Sequence, residues 1–151
     1  MTSFGPTPSV PAAVMDSFHR GMSDIAASQA YTIQIDETIE VHVQAEPCKR
    51  VRMMAMLALD SHQLGDDQLQ ALLVLNQPGD AYPLLTISID SGSGHLMVWT
   101  SVEAHDTDTD QFTDTFGRLV RRARGILTLL RSGLYGQPAA RDLPVGVGSR
   151  A

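Results

Sequence analysis

The chain has 151 residues, 43% of them hydrophobic, and a formal net charge of −6 at pH 7. This length fits one domain with a buried core, and no apolar run approaches the roughly 20 residues that a membrane-spanning helix needs, so we expect no membrane partner. The acidic balance argues against a nucleic-acid partner, because contact with phosphates usually requires a basic face. Cys48 is the single cysteine, which excludes an internal disulfide and a thiolate zinc cluster and predicts a free thiol.

Residues 1–11 contain three prolines and a glycine, and we predict that they form a flexible arm. They contain no positively charged stretch followed by an apolar block, as a secretory signal would, so we expect a cytoplasmic protein. Order is predicted to begin with a helix over residues 12–28. Its apolar residues recur at spacings of four, four and three, which places them on one face; they are Val14, Phe18, Met22 and Ile25.

The hydrophobic period then changes to two, which predicts an antiparallel hairpin and a third strand. The hairpin turns at residues 36–38, and the apolar positions of its strands are Tyr31, Ile33, Ile35, Ile39, Val41 and Val43. The third strand follows Pro47, and one of its faces consists of Val51, Met53, Ala55, Leu57 and Leu59. Its other face carries Met54 and Met56. These two methionines either fill gaps beneath a helix or form an adaptable binding surface, because methionine repacks easily around different partners.

Residues 69–102 are predicted to form a second helix and a second hairpin. The helix is apolar and ends at residues 76–79, where a proline and a glycine interrupt it, and we expect the last aspartates of the preceding loop, residues 60–67, to cap its start. The hairpin turns at residues 91–94. One of its faces carries Ile87 and Val98, and the other carries Leu84, Met97 and Trp99. Both faces are apolar, and another chain is one candidate to cover the second face.

Residues 103–114 carry five carboxylates and no lysine or arginine. The spacing of Asp106, Asp108 and Asp110 is similar to that of a calcium loop, but the glycine of the sharp turn and the glutamate at the twelfth position are missing. We therefore interpret these carboxylates as groups that cap the first turn of a helix and face the positive end of its dipole.

That helix is predicted over residues 109–131, with an apolar face of Phe112, Phe116, Leu119, Val120, Ala123, Leu127 and Leu130. Arginines are concentrated in its carboxyl-terminal part: Arg118, Arg121, Arg122, Arg124 and Arg131. They form either a docking site for an acidic partner or phosphate, or a solvated face that also favours the negative end of the helix dipole. Residues 133–151 are rich in glycine, proline and small residues, which predicts a disordered tail.

The order helix, three strands, helix, two strands, helix predicts a single α+β domain over residues 12–132, with a twisted antiparallel sheet. No phosphate-binding loop, dinucleotide fingerprint or nucleophile elbow is present, and the five histidines are scattered: His19, His42, His62, His95 and His105. We predict no metal and no cofactor. Two acid–base pairs are available to a small pocket, His42 with Asp36 and His95 with Asp90, so a small enzyme or ligand-binding cup remains an alternative.

Four short sequence features follow one another along the second helix and the second hairpin. They are a helix that ends in Leu72-Leu73-Val74-Leu75-Asn76, a turn with Gly79, a strand from Leu85 to Asp90, and Leu96-Met97-Val98-Trp99 after Gly94. Together with the long helix over residues 112–130, they resemble the class I type III secretion chaperones, the family that includes the Tir chaperone of enteric pathogens. The resemblance covers about residues 14–130.

The resemblance implies a bacterial cytoplasmic homodimer that is not an enzyme. Such a protein binds the N-terminal segment of one or more secreted effector proteins in extended form, keeps it soluble and competent for secretion, and helps deliver it to the secretion apparatus. The ATPase of that apparatus is a further candidate partner. A dimeric adaptor or regulator unrelated to secretion is a second alternative, beside the small enzyme.

We predict two interaction sites. A two-fold, self-complementary interface is expected at the second helix and the strand after it, with Leu72, Leu75, Leu85 and Trp99. Effector binding is expected at the first helix and the adjoining strands, with Phe18, Met22, Ile33, Met54 and Met56. The alternative role for each of these residues is in the ordinary core of the monomer.

Overall fold

The computed structural model of the chain describes residues 30–47, 49–103 and 109–133. Within these ranges the chain forms three strands, a helix, two strands and a long helix. The strands are β1 (Ala30–Asp36), β2 (Ile39–Glu46), β3 (Arg50–Asp60), β4 (Thr86–Ile89) and β5 (His95–Glu103). The helices are α1 (Asp66–Leu75) and α2 (Thr109–Ser132). The α+β architecture predicted from the sequence is confirmed.

The five strands form one antiparallel sheet in the order β1-β2-β3-β5-β4. The turns of the β1–β2 and β4–β5 hairpins are each organised by the side chain of an aspartate. The Asp36 carboxylate accepts hydrogen bonds from the backbone N–H of Thr38 at 2.8 Å and of Ile39 at 3.1 Å. The second turn uses the carboxylate of Asp90 in the same way, and it ends at Gly94, whose φ of 76° is a conformation that glycine adopts without strain. These turns help to fix the register of β1 with β2 and of β4 with β5.

The hydrophobic core lies between one face of the sheet and α2. Side chains of a strand point alternately to the two faces, and the core takes one complete set from β3: Val51, Met53, Ala55 and Leu57. Helix α2 covers this face with the apolar side chains predicted from its sequence, all of them buried: Phe112, Phe116, Leu119, Val120, Ala123, Leu127 and Leu130. Ile126 is also buried there.

The residue that caps the start of helix α1 is not one of the predicted aspartates. Its N-cap is Gly65, and Asp66 and Asp67 lie in the first turn, so the prediction that these aspartates cap the helix is wrong. The physical reason is that Gln68 reaches back from the third helical position, where its side-chain oxygen accepts the N–H of Gly65 at 2.8 Å. The two aspartates still face the positive end of the helix dipole. The helix ends at Leu75 with Asn76 as its C-cap, as predicted.

Some predictions concern residues outside the described ranges. These are the helix over residues 12–28, the free thiol of Cys48, the carboxylates of Asp106 and Asp108, and both terminal segments. The domain boundaries stay predictions for the same reason.

Candidate functional site

Helix α1 and strand β4 together present an apolar surface to solvent. Leu73 and Val74 on α1 are 72% and 65% exposed, and Ile89 on β4 is 47% exposed. A groove of about 360 Å³ runs between the two elements, and most of its lining is leucine and isoleucine. We call this region the α1–β4 surface. Contiguous exposed apolar patches on a folded protein commonly mark a contact with another protein.

The segment between the two elements, residues 76–85, extends this surface; we call it the α1–β4 linker. Tyr82 is 78% exposed and Leu84 is about half exposed, while the backbone of the linker is bonded to the rest of the chain. The guanidinium of Arg118 donates to the carbonyl oxygens of Tyr82 at 3.0 Å and Pro83 at 3.2 Å. The Thr100 hydroxyl donates to the carbonyl of Leu84 at 2.8 Å. The linker is therefore held in a conformation that directs the side chains of Tyr82 and Leu84 outward.

Arg118 and Arg122 have a role that the sequence did not indicate. Arg118 also donates to the carbonyl of Ala81 at 3.4 Å, and Arg122 donates to the carbonyl of Leu75, the last residue of α1. Both arginines thus join α2 to the α1–β4 surface. They donate to backbone carbonyls at the end of α1 and in the linker, where no helix or strand supplies a donor. Of the remaining arginines of α2, Arg124 lies 3.7 Å from the Asp36 carboxylate.

The residues predicted for the dimer interface occupy three different positions. Leu72 is 5% exposed and belongs to the core cluster, and Leu75 and Leu85 are partly buried against that cluster. Trp99 lies on the other face of the sheet, because its neighbour Val98 points into the core. The structure therefore brings Leu72, Leu75 and Leu85 together at the α1–β4 surface and separates Trp99 from them.

Sequence reasoning missed Leu73, Val74 and Tyr82 as exposed residues of this surface. One signal was present: residues 72–75 are four consecutive apolar residues within a helix. A helix that packs one side against a core turns about 100° per residue, so four consecutive side chains cannot all face that core.

The sheet face opposite α2 carries a second apolar region. Met54 pairs with Trp99 and Met56 pairs with Met97 across the β3–β5 ladder, so the four side chains form one block, which we call the Met–Trp patch. All four are half-buried. The guanidinium of Arg52 lies 5.5 Å from the centre of the Trp99 ring and pairs with the Glu46 carboxylate, which bounds the patch with charge.

Of the other predicted effector-binding residues, Ile33 is buried at 9% exposure and belongs to the core cluster. Phe18 and Met22 lie outside the described ranges. The structure therefore brings Met54 and Met56 together on an accessible face, and it does not bring Ile33 to them.

The carboxylates of the acid–base pairs that the enzyme alternative requires are hydrogen-bonded within their own turns and not to the paired histidine rings. The Asp36 carboxylate bonds to Thr38 and Ile39, while His42 lies 2.6 Å from the Glu40 carboxylate. The Asp90 carboxylate accepts two hydrogen bonds from Ser93, both at 2.8 Å, and these bonds lower the pKa of that carboxyl below its usual range. Each aspartate is thus engaged in a turn.

Among the residues that the structure describes, no group of three or more histidine, cysteine or carboxylate side chains could hold a metal ion. Across the same residues, no helix is both long enough and apolar enough to cross a membrane.

Solved structures with a similar fold include components of type III secretion systems. One is the type III secretion chaperone SycH of Yersinia pestis in complex with a stable fragment of YscM2, with 17% identity, a TM-score of 0.54, and coverage of 76% of this chain and 97% of that one. Two are from Pseudomonas aeruginosa. The ExoU–SpcU complex has 19% identity, a TM-score of 0.57 and coverage of 68% and 84%. The ExoT–SpcS complex has 13% identity, a TM-score of 0.53 and coverage of 77% and 98%. At these identities the likeness establishes the fold: this chain has the fold found in type III secretion chaperone complexes.

The sequence itself supplies the family. Residues 20–127 match the model of the Tir chaperone protein (CesT) family, and this range is well over half of the chain. The chain therefore belongs to the Tir chaperone family, as the resemblance in its sequence indicated. None of the curated proteins matches the chain in sequence.

Proposed function

We propose that this protein is a homodimeric type III secretion chaperone. It binds the N-terminal segment of one or more secreted effector proteins in extended form, keeps that segment soluble and competent for secretion, and helps deliver it to the secretion apparatus. The observation that carries this proposal is the Met–Trp patch, an accessible apolar block on the sheet face opposite the one that packs against α2. The family match supports it.

An extended apolar segment fits the Met–Trp patch physically. Methionine side chains are unbranched and polarizable, so they repack around partners of different shape, and a tryptophan adds a large contact area. An extended segment that lies across the patch can place its alternate side chains in the grooves between these four residues. Binding of this kind requires no nucleotide and no cofactor, and the proposal assigns the protein no enzymatic activity.

The α1–β4 surface is the proposed two-fold interface. Leu73 and Val74 protrude from it, and Leu72, Leu75 and Leu85 support it from the core side. A two-fold contact places the same apolar patch of both copies face to face, so one exposed patch per chain is sufficient. Trp99, which the sequence analysis assigned to the interface, belongs to the client-binding patch in this proposal.

The proposal places the protein in the bacterial cytoplasm, where an effector must be held before export. The ATPase of the secretion apparatus is a further proposed partner, since the complex has to be recognised before the effector is released. The observation nearest to the small-enzyme alternative is an open groove of about 340 Å³ whose lining includes His42, Asp90 and His95. The carboxylate of Asp90 is engaged by Ser93 within the turn, so we do not favour that alternative. The family match argues against an adaptor unrelated to secretion.

The double substitution Met54→Asp/Met56→Asp tests the client site. Two carboxylates on this face should abolish capture of the client because the segment's apolar side chains would have to remove them from water. The readout is mass spectrometry of the polypeptides that co-purify after co-expression with candidate secreted proteins. Thr113→Asp/Thr128→Asp is the matched control, because it adds the same charge at exposed positions of α2. Unchanged capture by the methionine variant, or its unfolding, would show that these residues are not the client site.

A further inference from the structure

The side chain of Asn76 is bonded to the backbone of the edge strand β4. Its Nδ2 donates to the carbonyl oxygen of Ile87 at 3.1 Å, and its Oδ1 accepts the N–H of Ile87 at 2.7 Å. Both main-chain polar groups of one residue are thus satisfied by one side-chain amide. Asn76 is also the C-cap of α1, so its own backbone is fixed by the end of that helix.

Ile87 directs its N–H and C=O away from the sheet. Residues of an antiparallel strand bond alternately to one side and the other. Asp90, just beyond the strand, donates its N–H to the carbonyl of His95 at 2.9 Å, so it faces β5. The main-chain groups of Ser88 and Thr86, two and four residues before Asp90, therefore also face β5. Those of Ile87 and Ile89 face outward.

An outward row of unpaired N–H and C=O groups is a template for another strand. Two residues opposite each other in an antiparallel ladder exchange two hydrogen bonds, one in each direction. A carboxamide has the same donor and acceptor as a peptide group, and Asn76 makes both bonds. It therefore occupies the place of one residue in a neighbouring strand, in the middle of a strand only four residues long.

We propose that Asn76 closes the β4 edge of the sheet by imitating a residue of a paired strand. A partner consequently finds no free main-chain groups at Ile87, so no continuous ladder can run past that residue into a neighbouring chain. The inference concerns the edge itself, and it stands whether or not the proposed client-binding function is correct.

Amide hydrogen exchange of Ile87, followed by NMR on the full chain, tests this proposal. In the wild-type protein the Ile87 amide should be protected, because it donates to Asn76 Oδ1. In Asn76→Ala at low concentration it should exchange about tenfold faster, because its acceptor is gone. At high concentration, light scattering should detect assemblies of Asn76→Ala larger than those of the wild type, because the open edge pairs with other edges. Gln77→Ala, an exposed neighbour, should leave both measurements unchanged.

Asn76→Asp separates the two halves of the side chain's role. It keeps the acceptor for the Ile87 N–H, so the amide should stay protected, and its charge should prevent edge pairing. Wild-type exchange rates in Asn76→Ala, or an absence of larger assemblies, would overturn the proposal. If Asn76→Ala does not fold, Asn76→Asp decides: slow exchange of Ile87 supports the strand-mimic role, and rapid exchange in this folded variant refutes it.

Discussion

At the scale of single residues, Arg118 anchors the linker of the α1–β4 surface. It bonds to three successive carbonyl oxygens, those of Ala81, Tyr82 and Pro83. Hydrogen bonds from a charged donor are stronger than those between neutral groups, and these three hold the linker that displays Tyr82. An exposed aromatic side chain on a fixed backbone loses little conformational entropy when a partner covers it.

Arg118→Ala should leave the fold intact and lower the free energy of unfolding by about 1–3 kcal/mol. It should also make the α1–β4 linker more sensitive to limited proteolysis, because residues 81–83 lose their anchor. Arg121→Ala is the matched control, since Arg121 is an exposed arginine of the same helix. Urea unfolding and timed proteolysis provide the two readouts. Identical behaviour of the two variants would show that Arg118 does not hold the linker.

Asp36 gives a pH dependence at the residue scale. Partial burial raises the pKa of this carboxyl, but the hydrogen bonds from Thr38, the charge of Arg124 and the N–H of Ile39 outweigh it, so the pKa is lowered below 3.8. A group with a lowered pKa in the folded state stabilises the fold above its unfolded pKa, and this stabilisation is lost as the pH falls through the folded pKa.

The wild type should therefore have a higher melting temperature than Asp36→Asn at pH 6. The difference should shrink as the pH falls below about 4 and should vanish once the wild-type carboxyl is protonated. Thermal unfolding followed by circular dichroism between pH 2.5 and 6 measures it. A difference that is constant over this range would contradict a stabilising Asp36 carboxylate.

At the scale of elements, the apolar face of α2 holds the sheet and the helix together. Leu119 is completely buried at its centre. Leu119→Ala should lower the free energy of unfolding by about 2–5 kcal/mol, because it removes apolar contacts and leaves a cavity. Thr128→Ala, at an exposed position of the same helix, should change it by less than about 0.5 kcal/mol. Urea unfolding at equal protein concentration compares the two variants. An equal loss of the free energy of unfolding in both would show that this face is not the core.

The elements were predictable from the sequence wherever one face is fully buried and the apolar residues of that face recur with a clear period. The alternation in β2, β3 and β5 and the apolar face of α2 locate those elements correctly. Helix α1 was harder, because apolar residues surround much of it and their spacing does not tell the core side from the exposed side. Leu72 and Leu73 are adjacent in the sequence, yet one is 5% exposed and the other 72%.

The contacts between elements were the part that the sequence did not predict. The bond from Arg118 to Pro83 in the linker joins residues 35 positions apart. The bond from Asn76 to Ile87 joins residues 11 positions apart. Periodicity describes neighbours along one element and carries no information about such pairs. The same limit explains why Trp99 was grouped with Leu72, although the sheet places it on the opposite face.

At the scale of the whole molecule, the proposed dimer depends on exposed rather than buried leucines. Leu73→Asp should convert the dimer into a folded monomer, because it places a charge in the centre of the α1–β4 surface. Leu72→Ala should instead destabilise each protomer, since Leu72 is in the core. Size-exclusion chromatography with light scattering, together with thermal unfolding, distinguishes the two effects. A Leu73→Asp protein that remains dimeric would place the interface elsewhere.

The proposed function requires a dimer that holds an extended segment of a secreted protein. The most direct measurement is light scattering of the purified protein, alone and after co-expression with candidate secreted proteins, with mass spectrometry of whatever co-purifies. The predicted result is a dimer of twice 16.3 kDa that carries one protease-sensitive N-terminal segment of a secreted protein. A monomer that captures no polypeptide would contradict the proposed function.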